Sequence, residues 1–244
     1  MGKERTKHAT INDVAERAGV SKSLVSLVMR GSPNVSDARR TAVLEAAREL
    51  SYRPNAAARS LVRQRSNVVG VVLSDLHNPF FADVADGIEE EATASGYRAL
   101  LSSGFLDAER ERVAVDTLLQ LRADGLLLLG TVAEYQRFES AALSVPIVAI
   151  SRQAPADWLD TVRDDDRLGA TMLVDHLVDL GHKRIAHISG GGGAGGPDRV
   201  AGYEERMQHH GLGEFVTTIQ GAFTREGGCR GMETLLAQST RPTA

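Results

Sequence analysis

This sequence has almost no cysteine and no long apolar run. Cys229 is the single cysteine among 244 residues, so no internal disulfide can form and no cysteine pair can hold a metal. We expect its thiol to be buried as a small hydrophobic group. No apolar run approaches the ~18 residues of a membrane-spanning helix, and the first eight residues lack the apolar core of a signal peptide. We therefore expect a protein that acts in the cytoplasm.

Charge is distributed unevenly along the chain. Hydrophobic residues make up 42% and charged residues 25% of the sequence, which excludes a disordered chain and is typical of globular proteins. The net charge is −4, yet residues 1–65 hold 13 Lys and Arg against 6 Asp and Glu, a balance of +7. Residues 66–244 hold 15 against 26, or −11. A basic segment on an acidic body favours a polyanionic partner, either nucleic acid or an anionic membrane.

The basic segment predicts three short helices. The first follows Thr10 and stops at Gly19, the second follows Ser21, and the third follows Ser36. Two short helices joined by a tight glycine-containing turn and backed by a third are typical of the helix-turn-helix, whose second helix enters the DNA major groove. A plain three-helix bundle with a basic surface remains the alternative. We expect the basic side chains of the third helix to face solvent, namely Arg39, Arg40 and Arg48.

A short segment after these helices has a strong but isolated helical pattern. Residues 56–63 are rich in alanine and arginine, yet an isolated helix of about nine residues is marginal in water. We therefore expect residues 54–65 to form a linker whose helix folds only when something supports it.

Three motifs together give the chain a family resemblance. Residues 10–26 read TINDVAERAGVSKSLVS, residues 35–36 read VS, and residues 52–61 read YRPNAAARSL. In these motifs the chain resembles the LacI/GalR family of bacterial transcriptional regulators, and the match continues to the end of the sequence. The resemblance implies a helix-turn-helix DNA-binding domain over residues 1–53. It also implies a hinge helix over residues 54–65 that pairs with its twin from a second subunit in the minor groove.

The resemblance also implies which residues contact DNA. Leu61 stands where the family places a leucine wedge, and such wedges exchange base stacking for a bent duplex with more protein contact. Lys22, Ser23 and Leu27 stand on the base-reading face. Leu27 departs from the usual polar residue, because leucine can touch a thymine methyl but cannot make the paired hydrogen bonds that arginine makes to guanine. The residues that we expect at the DNA are Thr10, Ser21, Lys22, Ser23, Ser26, Leu27, Arg40, Asn55, Arg59 and Leu61.

Beyond residue 66, apolar strands alternate with amphipathic helices. We expect strands near residues 68–74, 98–103, 125–129, 147–150, 184–189 and 215–220. We expect helices near residues 80–95, 107–122, 168–180 and 199–210. This alternation predicts an α/β fold with a parallel sheet that is covered on both faces.

The resemblance identifies this region, residues 66–244, as a periplasmic-binding-protein-like core. It implies two Rossmann-like subdomains, the first over about 66–162 and the second over about 163–244. Members of the family usually continue well beyond the point matched by residue 244, so we expect the second subdomain to be incomplete and the chain to be a fragment or a shortened reading frame. Unpaired sheet edges would then make it marginally stable.

Polar side chains follow several of the predicted strands. Ligands of open α/β sheets bind at the carboxyl ends of the strands. An arginine and carboxylates there suit a sugar, because both bind neighbouring hydroxyls through charge-assisted hydrogen bonds. In the alternative, Asp164–Asp166 only complement a helix N-terminus and Arg199 only forms a surface pair. The strand-end positions and the family resemblance together imply the following effector contacts: Ser74, Asp75, Asn78, Phe81, Asp165 and Arg199.

A glycine-rich stretch, Gly191–Gly196, raises a competing enzyme interpretation. It formally fits the dinucleotide motif G-x-G-x-x-G, with Glu214 about 20 residues further on. However, Pro197 and Asp198 occupy the following helix start, where a phosphate needs free amides and no negative charge. We expect a loop over the effector cleft instead. We also expect structural roles rather than a zinc site for the histidines of this region, His176, His182 and His187.

The sequence is thus interpreted as a sequence-specific DNA-binding transcriptional regulator, with a repressor favoured and an activator left open. We expect a homodimer that binds a near-palindromic operator, responds to a small-molecule effector such as a sugar, and carries no catalytic site, cofactor or metal. The alternative from another class is a solute-binding protein without DNA function, against which the basic segment argues.

Overall fold

The computed structural model describes residues 9–53, 65–153, 157–191 and 194–244. By their internal contacts the residues form two units, one that ends at Ser66 and a larger one that begins at Asn67. Each unit has its own hydrophobic core, so each is described separately.

The described part of the N-terminal unit contains the helices α1 (Ile11–Ala18), α2 (Lys22–Met29) and α3 (Asp37–Glu49). Local chemistry sets the start and end of α1. The hydroxyl of Thr10 accepts a hydrogen bond from the N–H of Asp13, whose carboxylate accepts one from the N–H of Thr10 at 2.6 Å. Gly19 ends the helix at φ +63°, a left-handed conformation that glycine adopts without a steric penalty.

The three helices pack around a small apolar core. Val14, Val25 and Val43 supply one fully buried side chain from each helix. At the surface, Arg17 of α1 forms an ion pair with Glu49 of α3 at 2.7 Å. In its described part the N-terminal unit is therefore a compact three-helix domain, in which the short turn at residues 19–21 fixes α2 against α1.

The larger unit alternates strands and helices. Its strands are β1 (Val68–Leu73), β2 (Arg98–Ser103), β3 (Gly125–Leu129), β4 (Ile147–Ile150), β5 (Asp160–Val162), β6 (Ala186–Ser189) and β7 (Thr217–Gln220). Its helices are α4 (Pro79–Ala94), α5 (Ala108–Gln120), α6 (Glu139–Ala142), α7 (Asp166–Asp179), α8 (Gly196–His209) and α9 (Arg225–Leu236), with single 3₁₀ turns at Tyr135–Phe138 and Gly213–Phe215.

Five strands form an all-parallel sheet in the order β2-β1-β3-β4-β5. The chain passes from β1 to its neighbour β2 on one side, and then crosses over to β3 on the other side of β1. The direction in which strands are added therefore reverses between β1 and β3. Leu126, Leu128 and Ala149 are buried in the core of this sheet with Tyr135 and Phe138. A crevice at such a reversal, outside the carboxyl ends of the strands, is where open α/β sheets bind ligands.

The remaining two strands, β6 and β7, form a separate parallel pair that α8 and α9 contact, while α7 packs against α8. The hydroxyl of Tyr203 on α8 ties the pair together, because it donates to the carbonyl of Ile185 at 2.7 Å and accepts from the N–H of Thr217 at 2.9 Å. On the other side of β6, the N–H of Thr243 donates to the carbonyl of Arg184 at 2.7 Å.

The α/β alternation and the parallel sheet are confirmed, but some expectations were wrong. Cys229 is exposed, because it lies on α9 away from the face that Gly227, Gly231 and Leu235 bury. The pattern also missed β5 and α9 altogether. Arg40 is half-buried rather than fully in solvent, since its guanidinium donates to the carbonyl of Ser32 at 2.5 Å.

Candidate DNA-binding and effector-binding sites

The N-terminal end of α2 presents short polar side chains to solvent. Ser21 caps the helix, its hydroxyl accepting from the N–H of Leu24 at 3.2 Å. Val25 and Val28 are buried on the inner face, which leaves Lys22 and Ser23 exposed on the outer face. An exposed recognition-helix N-terminus is the part of a helix-turn-helix that reaches base edges.

The other expected DNA contacts of this unit are more constrained. Ser26 and Leu27 are half-buried, and Leu27 packs partly against the three-helix core. Thr10 is exposed, but its hydroxyl belongs to the cap of α1. Arg40 uses one guanidinium nitrogen to hold the turn between α2 and α3. The remaining expected contacts, Asn55, Arg59 and Leu61, lie outside the described residues.

The expected effector contacts after β1 are partly engaged in local structure. Ser74 is 1% exposed, and its hydroxyl has no hydrogen-bond partner among the described residues. Asp75 accepts from the N–H of His77 at 2.9 Å, and Asn78 caps α4 by accepting from the N–H of Phe80 at 3.1 Å. Phe81 is buried beneath the strand ends, in contact with the backbone of Gly130. Ser74 is thus a buried side chain of this loop whose hydroxyl has no partner among the described residues.

The two remaining expected effector contacts, Asp165 and Arg199, have different partners near the start of α8. Asp165 caps α7 by accepting from the N–H of Leu168 at 2.9 Å. The neighbouring Asp166 is buried and accepts from Nε of Arg199 at 2.5 Å. Asp198, beside Arg199, pairs with Arg163 at 3.1 Å. The structure therefore brings Arg199 to Asp166 rather than to Asp165, whose carboxylate serves the helix.

The glycine-rich stretch does not offer a phosphate site in its described part. Gly195 has φ +67°, and the carboxylate of Asp166 lies so close that any side chain at residue 195 would collide with it. The N-terminus of α8 therefore already faces a carboxylate of the chain itself, and a pyrophosphate there would be repelled. Gly192 and Gly193 lie outside the described residues.

Sequence reasoning missed a polar cluster after β3 and β4. Glu111 of α5 has no exposed surface, and its carboxylate accepts from the N–H of Val132 at 3.0 Å and that of Ala133 at 2.8 Å. Burial raises the pKa of Glu111 above its ordinary value, although these hydrogen bonds oppose the shift. Arg152 donates to the carbonyls on either side of Val132, those of Thr131 and Ala133, at 3.1 and 3.0 Å.

A signal for this cluster was present in the sequence. Glu111 occupies the same helical stripe as Ala114, Val115 and Leu118, all of which are buried. A carboxylate in an apolar stripe indicates a buried polar partner, since unpaired buried charge is costly. Its partners lie 21 and 22 residues further along the chain and could not be identified from spacing.

Two of the histidines expected to be structural, His182 and His187, have such contacts, and Nδ1 of His182 lies 3.0 Å from the hydroxyl of Thr243. His210, which was not among them, shares Asp175 with Arg206, and hydrogen bonds from these two groups lower the pKa of Asp175 to about 2. His187 stacks on Tyr203, and burial lowers its pKa. No group of three His, Cys, Asp or Glu residues in the described ranges is placed to hold a metal ion.

None of the described helices is long and apolar enough to cross a membrane.

Two family models match this chain. One describes bacterial regulatory proteins of the lacI family and covers residues 10–55. The other describes periplasmic binding proteins and the sugar binding domain of the LacI family, and covers residues 66–244. Together they account for the helix-turn-helix unit and for the α/β unit.

Individual relatives agree with the family models. Catabolite control protein A of Priestia megaterium is 34% identical over 241 residues, which are 97% of this chain and 73% of that protein. The ribose operon repressor of Haemophilus influenzae is 33% identical over 244 residues, 97% of this chain and 72% of that protein. A crystal structure of the lac repressor dimer bound to operator and the anti-inducer ONPF has a TM-score of 0.83 at 29% identity, covering 97% of this chain and 72% of that one.

These matches decide between the alternatives. A solute-binding protein without DNA function would account for the α/β unit alone, and a dinucleotide-binding enzyme would account for neither the N-terminal unit nor the carboxylate at the start of α8. The chain belongs to the LacI family of bacterial regulatory proteins, and it is a DNA-binding transcriptional regulator rather than an enzyme.

Proposed function

We propose that this protein is a sugar-responsive repressor that binds a near-palindromic operator as a homodimer. In this proposal residues 1–53 read the operator and residues 54–65 link them to an effector-binding core, residues 66–244. The core has a first subdomain at about 66–162 and a second at about 163–244. Because its DNA partner is a bacterial operator, the protein acts in the cytoplasm.

Operator recognition is assigned to α2. Lys22 and Ser23 are exposed at its N-terminal end, while its apolar face is buried, so these two side chains carry the base contacts. Ser26 and the outer part of Leu27 lie one turn further on and follow the same groove. Leu27 would contact a thymine methyl, which makes the operator differ from those read by a polar residue at that position.

Thr10, Ser21 and Arg40 are assigned to the DNA backbone. The hydroxyls of Thr10 and Ser21 already cap helices, so the N-terminal N–H groups of α1 and α2 are held in place for phosphate contact. On the family resemblance, Leu61 is assigned to the minor groove and Arg59 to the phosphates beside it, with Asn55 as a further contact of the same segment. The basic balance of +7 over residues 1–65 supports the electrostatic part of this binding.

A sugar is assigned to the carboxyl edge of the sheets. The observation that carries this part is the ion pair between the buried Asp166 and the exposed Arg199 at the start of α8, because a charged pair can bind neighbouring hydroxyls from both sides. The unpartnered hydroxyl of Ser74 lies at the reversal between β1 and β3, where ligands of this fold bind. Asp75, Asn78, Phe81 and Asp165 then shape the site. The sugar-binding description of the matched family supports the ligand class.

The homodimer is assigned to the edge of the five-stranded sheet at β2. Leu100, Leu101 and Phe105 are 39%, 46% and 55% exposed there, and Val113 of α5 is also exposed. An apolar edge of this kind is covered in a stable soluble protein, and a second copy of the chain would cover it symmetrically. Two subunits would also present two recognition helices to two half-sites of the operator.

Selection of bound sequences from random duplex DNA tests the proposal. The experiment is run without sugar and with a panel that includes ribose, galactose and cellobiose. We expect one enriched motif with two-fold symmetry, and loss of enrichment in the presence of at least one sugar. Enrichment of no motif would contradict operator binding, while a motif unaffected by the whole panel would contradict the sugar assignment.

A further inference from the structure

We propose that Glu111 and Arg152 are positioning residues that hold the segment Gly130–Glu134 in one shape, and that this shape sets the affinity of the cleft for its small-molecule effector. The segment follows β3 at the carboxyl edge of the sheet. The second part of the inference rests on the proposed function, which places the effector at that edge.

Glu111 holds the segment from inside. It projects from α5, is fully buried, and receives the N–H groups of two successive residues, Val132 and Ala133. Space for the carboxylate exists because residue 104 is glycine: a Cβ there would lie 2.2 Å from Cγ of Glu111. Two consecutive N–H groups turned toward one anion form a concave anion-binding turn. The carboxylate therefore fixes the direction of the backbone at this point.

Arg152 holds the same segment through its carbonyls. Its Nη1 donates to the carbonyls of Thr131 and Ala133, and its guanidinium lies 5.1 Å from the centre of the Tyr135 ring. The hydroxyl of Tyr135 in turn donates to the carbonyl of Arg152 at 3.4 Å. Tyr135, directly after the segment, thus holds Arg152 in place through its ring and its hydroxyl. Arg152 follows Ser151, which has φ +66° at the end of β4.

The two side chains together provide hydrogen-bond partners for both the N–H groups and the carbonyl groups of this short irregular segment. Hydrogen bonds to charged partners are stronger than neutral ones, and buried N–H groups that lose their acceptor carry a desolvation cost. Either substitution alone would leave the opposite charge facing backbone groups in a changed geometry. For this reason we expect Glu111 and Arg152 to act together, so that loss of either one changes the backbone of the segment.

The position of this segment matters for the neighbouring strand end. Gly130, at φ +63°, comes so close to the loop after β1 that a Cβ there would lie 3.0 Å from Oγ of Ser74 and 2.4 Å from the ring of Phe81. Thr131 follows immediately and is fully buried. A shift of the segment by an ångström would therefore change the space beside Ser74. Such a displacement is enough to weaken binding that depends on aligned hydrogen bonds.

The test compares Glu111→Gln with Arg152→Met. Glu111→Gln keeps the side-chain length, while Arg152→Met keeps the apolar stem and removes the guanidinium. Glu109→Gln on the same helix is the matched control because Glu109 is exposed. The first measurement is amide hydrogen exchange at Val132 and Ala133 in the full chain without ligand. We expect exchange there to rise by at least about tenfold in both variants, the scale of one lost charge-assisted hydrogen bond. Amides of β1 and of the control variant should keep wild-type rates.

The second measurement is titration with ribose, galactose and cellobiose. For a sugar that binds the wild type, we expect Kd to rise by about tenfold in both variants while operator affinity stays unchanged. Unchanged exchange at Val132 and Ala133, or faster exchange with an unchanged sugar Kd, would overturn the inference. A wild type that binds none of the sugars would contradict the proposed function instead, and the exchange data would then decide on the positioning role alone. Arg152→Met, at a partly exposed residue, keeps the test available if Glu111→Gln does not fold.

Discussion

Nε of Arg199 donates a hydrogen bond to Oδ1 of Asp166 at 2.5 Å, across the start of α8. The side chain of Asp166 is 6% exposed and that of Arg199 is 44% exposed. The carboxylate is therefore held inside while the guanidinium keeps an outer face that can contact another molecule. This asymmetry makes Arg199 the more informative residue to change.

Arg199→Ala should weaken sugar binding and leave operator affinity intact, because the substitution lies outside the N-terminal unit. Loss of one charge-assisted hydrogen bond predicts a rise in Kd of about tenfold. The free energy of unfolding should fall by about 1 kcal/mol, a modest value since the pair is partly exposed. Isothermal titration and urea unfolding measure the two effects.

Asp165→Asn is the matched control for Arg199→Ala. Asparagine caps a helix about as well as aspartate, so the cap of α7 at Leu168 should survive. We expect wild-type stability and a loss of sugar affinity smaller than in Arg199→Ala, because Asp165 shapes the site but is not part of the charged pair. A loss of sugar binding in Asp165→Asn together with normal binding in Arg199→Ala would show that the site is built around Asp165 instead.

The double substitution of Lys22 and Ser23 by alanine should relax sequence preference. Each lost base contact reduces discrimination by about 1–3 kcal/mol, and binding to unrelated duplex should change much less. Sequence selection with the variant measures this directly. Arg39→Ala removes an equal charge from an exposed position of α3, and we expect it to leave the preferred motif unchanged. Identical motifs from the double variant and the wild type would place base recognition elsewhere.

Leu61→Ala should separate specific from non-specific binding. The family resemblance implies a wedge at this residue, and without it the duplex loses the kink that brings more protein into contact. Affinity for the operator should fall toward that for random duplex, whereas the salt-dependent binding to random duplex should persist. Val62→Ala removes similar apolar surface from the same segment and serves as the control. Parallel loss of both binding modes in Leu61→Ala would contradict the wedge.

Stability in acid should depend on Asp175. Its pKa is lowered to about 2 by hydrogen bonds from Arg206 and His210, so the folded state binds a proton less readily than the unfolded state. The stabilisation is present above the ordinary pKa of an aspartate and is lost as pH falls through the folded value. Asp175→Asn should therefore lower Tm at pH 7, and the difference from wild type should shrink between about pH 4 and pH 2. A difference that is independent of pH would contradict the assignment.

The sequence predicted elements whose determinants are local. The ends of α1 and α2 follow from the Thr10 and Ser21 caps and from Gly19, all within one helical turn of what they control. Strands β1, β2, β3 and β4 were found because each is a run of mainly apolar residues.

Elements that depend on tertiary contact were missed. Helix α9 contains Gly227, Gly228 and Gly231, and glycine disfavours helices. It forms where Gly231 packs against Ile188 of β6 so closely that a Cβ would lie 2.6 Å from that side chain. Strand β5 has three residues and no apolar run, and its pairing with β4 defines it.

For the effector site, the sequence predicted the region of the fold but not which side chains in it are free to bind a ligand. Strand ends identify where polar side chains gather, but not which of them are already satisfied. Asp165 and Asn78 cap helices, while Asp166 and Ser74 are buried at the same edges. The roles of Glu111 and Arg152 depend on backbone groups about 20 residues away in the chain, and nothing in the local pattern encodes such partners.

The central claim is that one chain couples operator binding to sugar binding. Fluorescence anisotropy of the selected operator and of a scrambled duplex, at fixed salt and with each sugar of the panel, tests it most directly. We expect the operator to bind at least about 10³-fold tighter than the scrambled duplex, and one sugar to change operator affinity by about 5–150-fold. Equal affinity for both duplexes, or operator affinity that no sugar alters, would contradict the account.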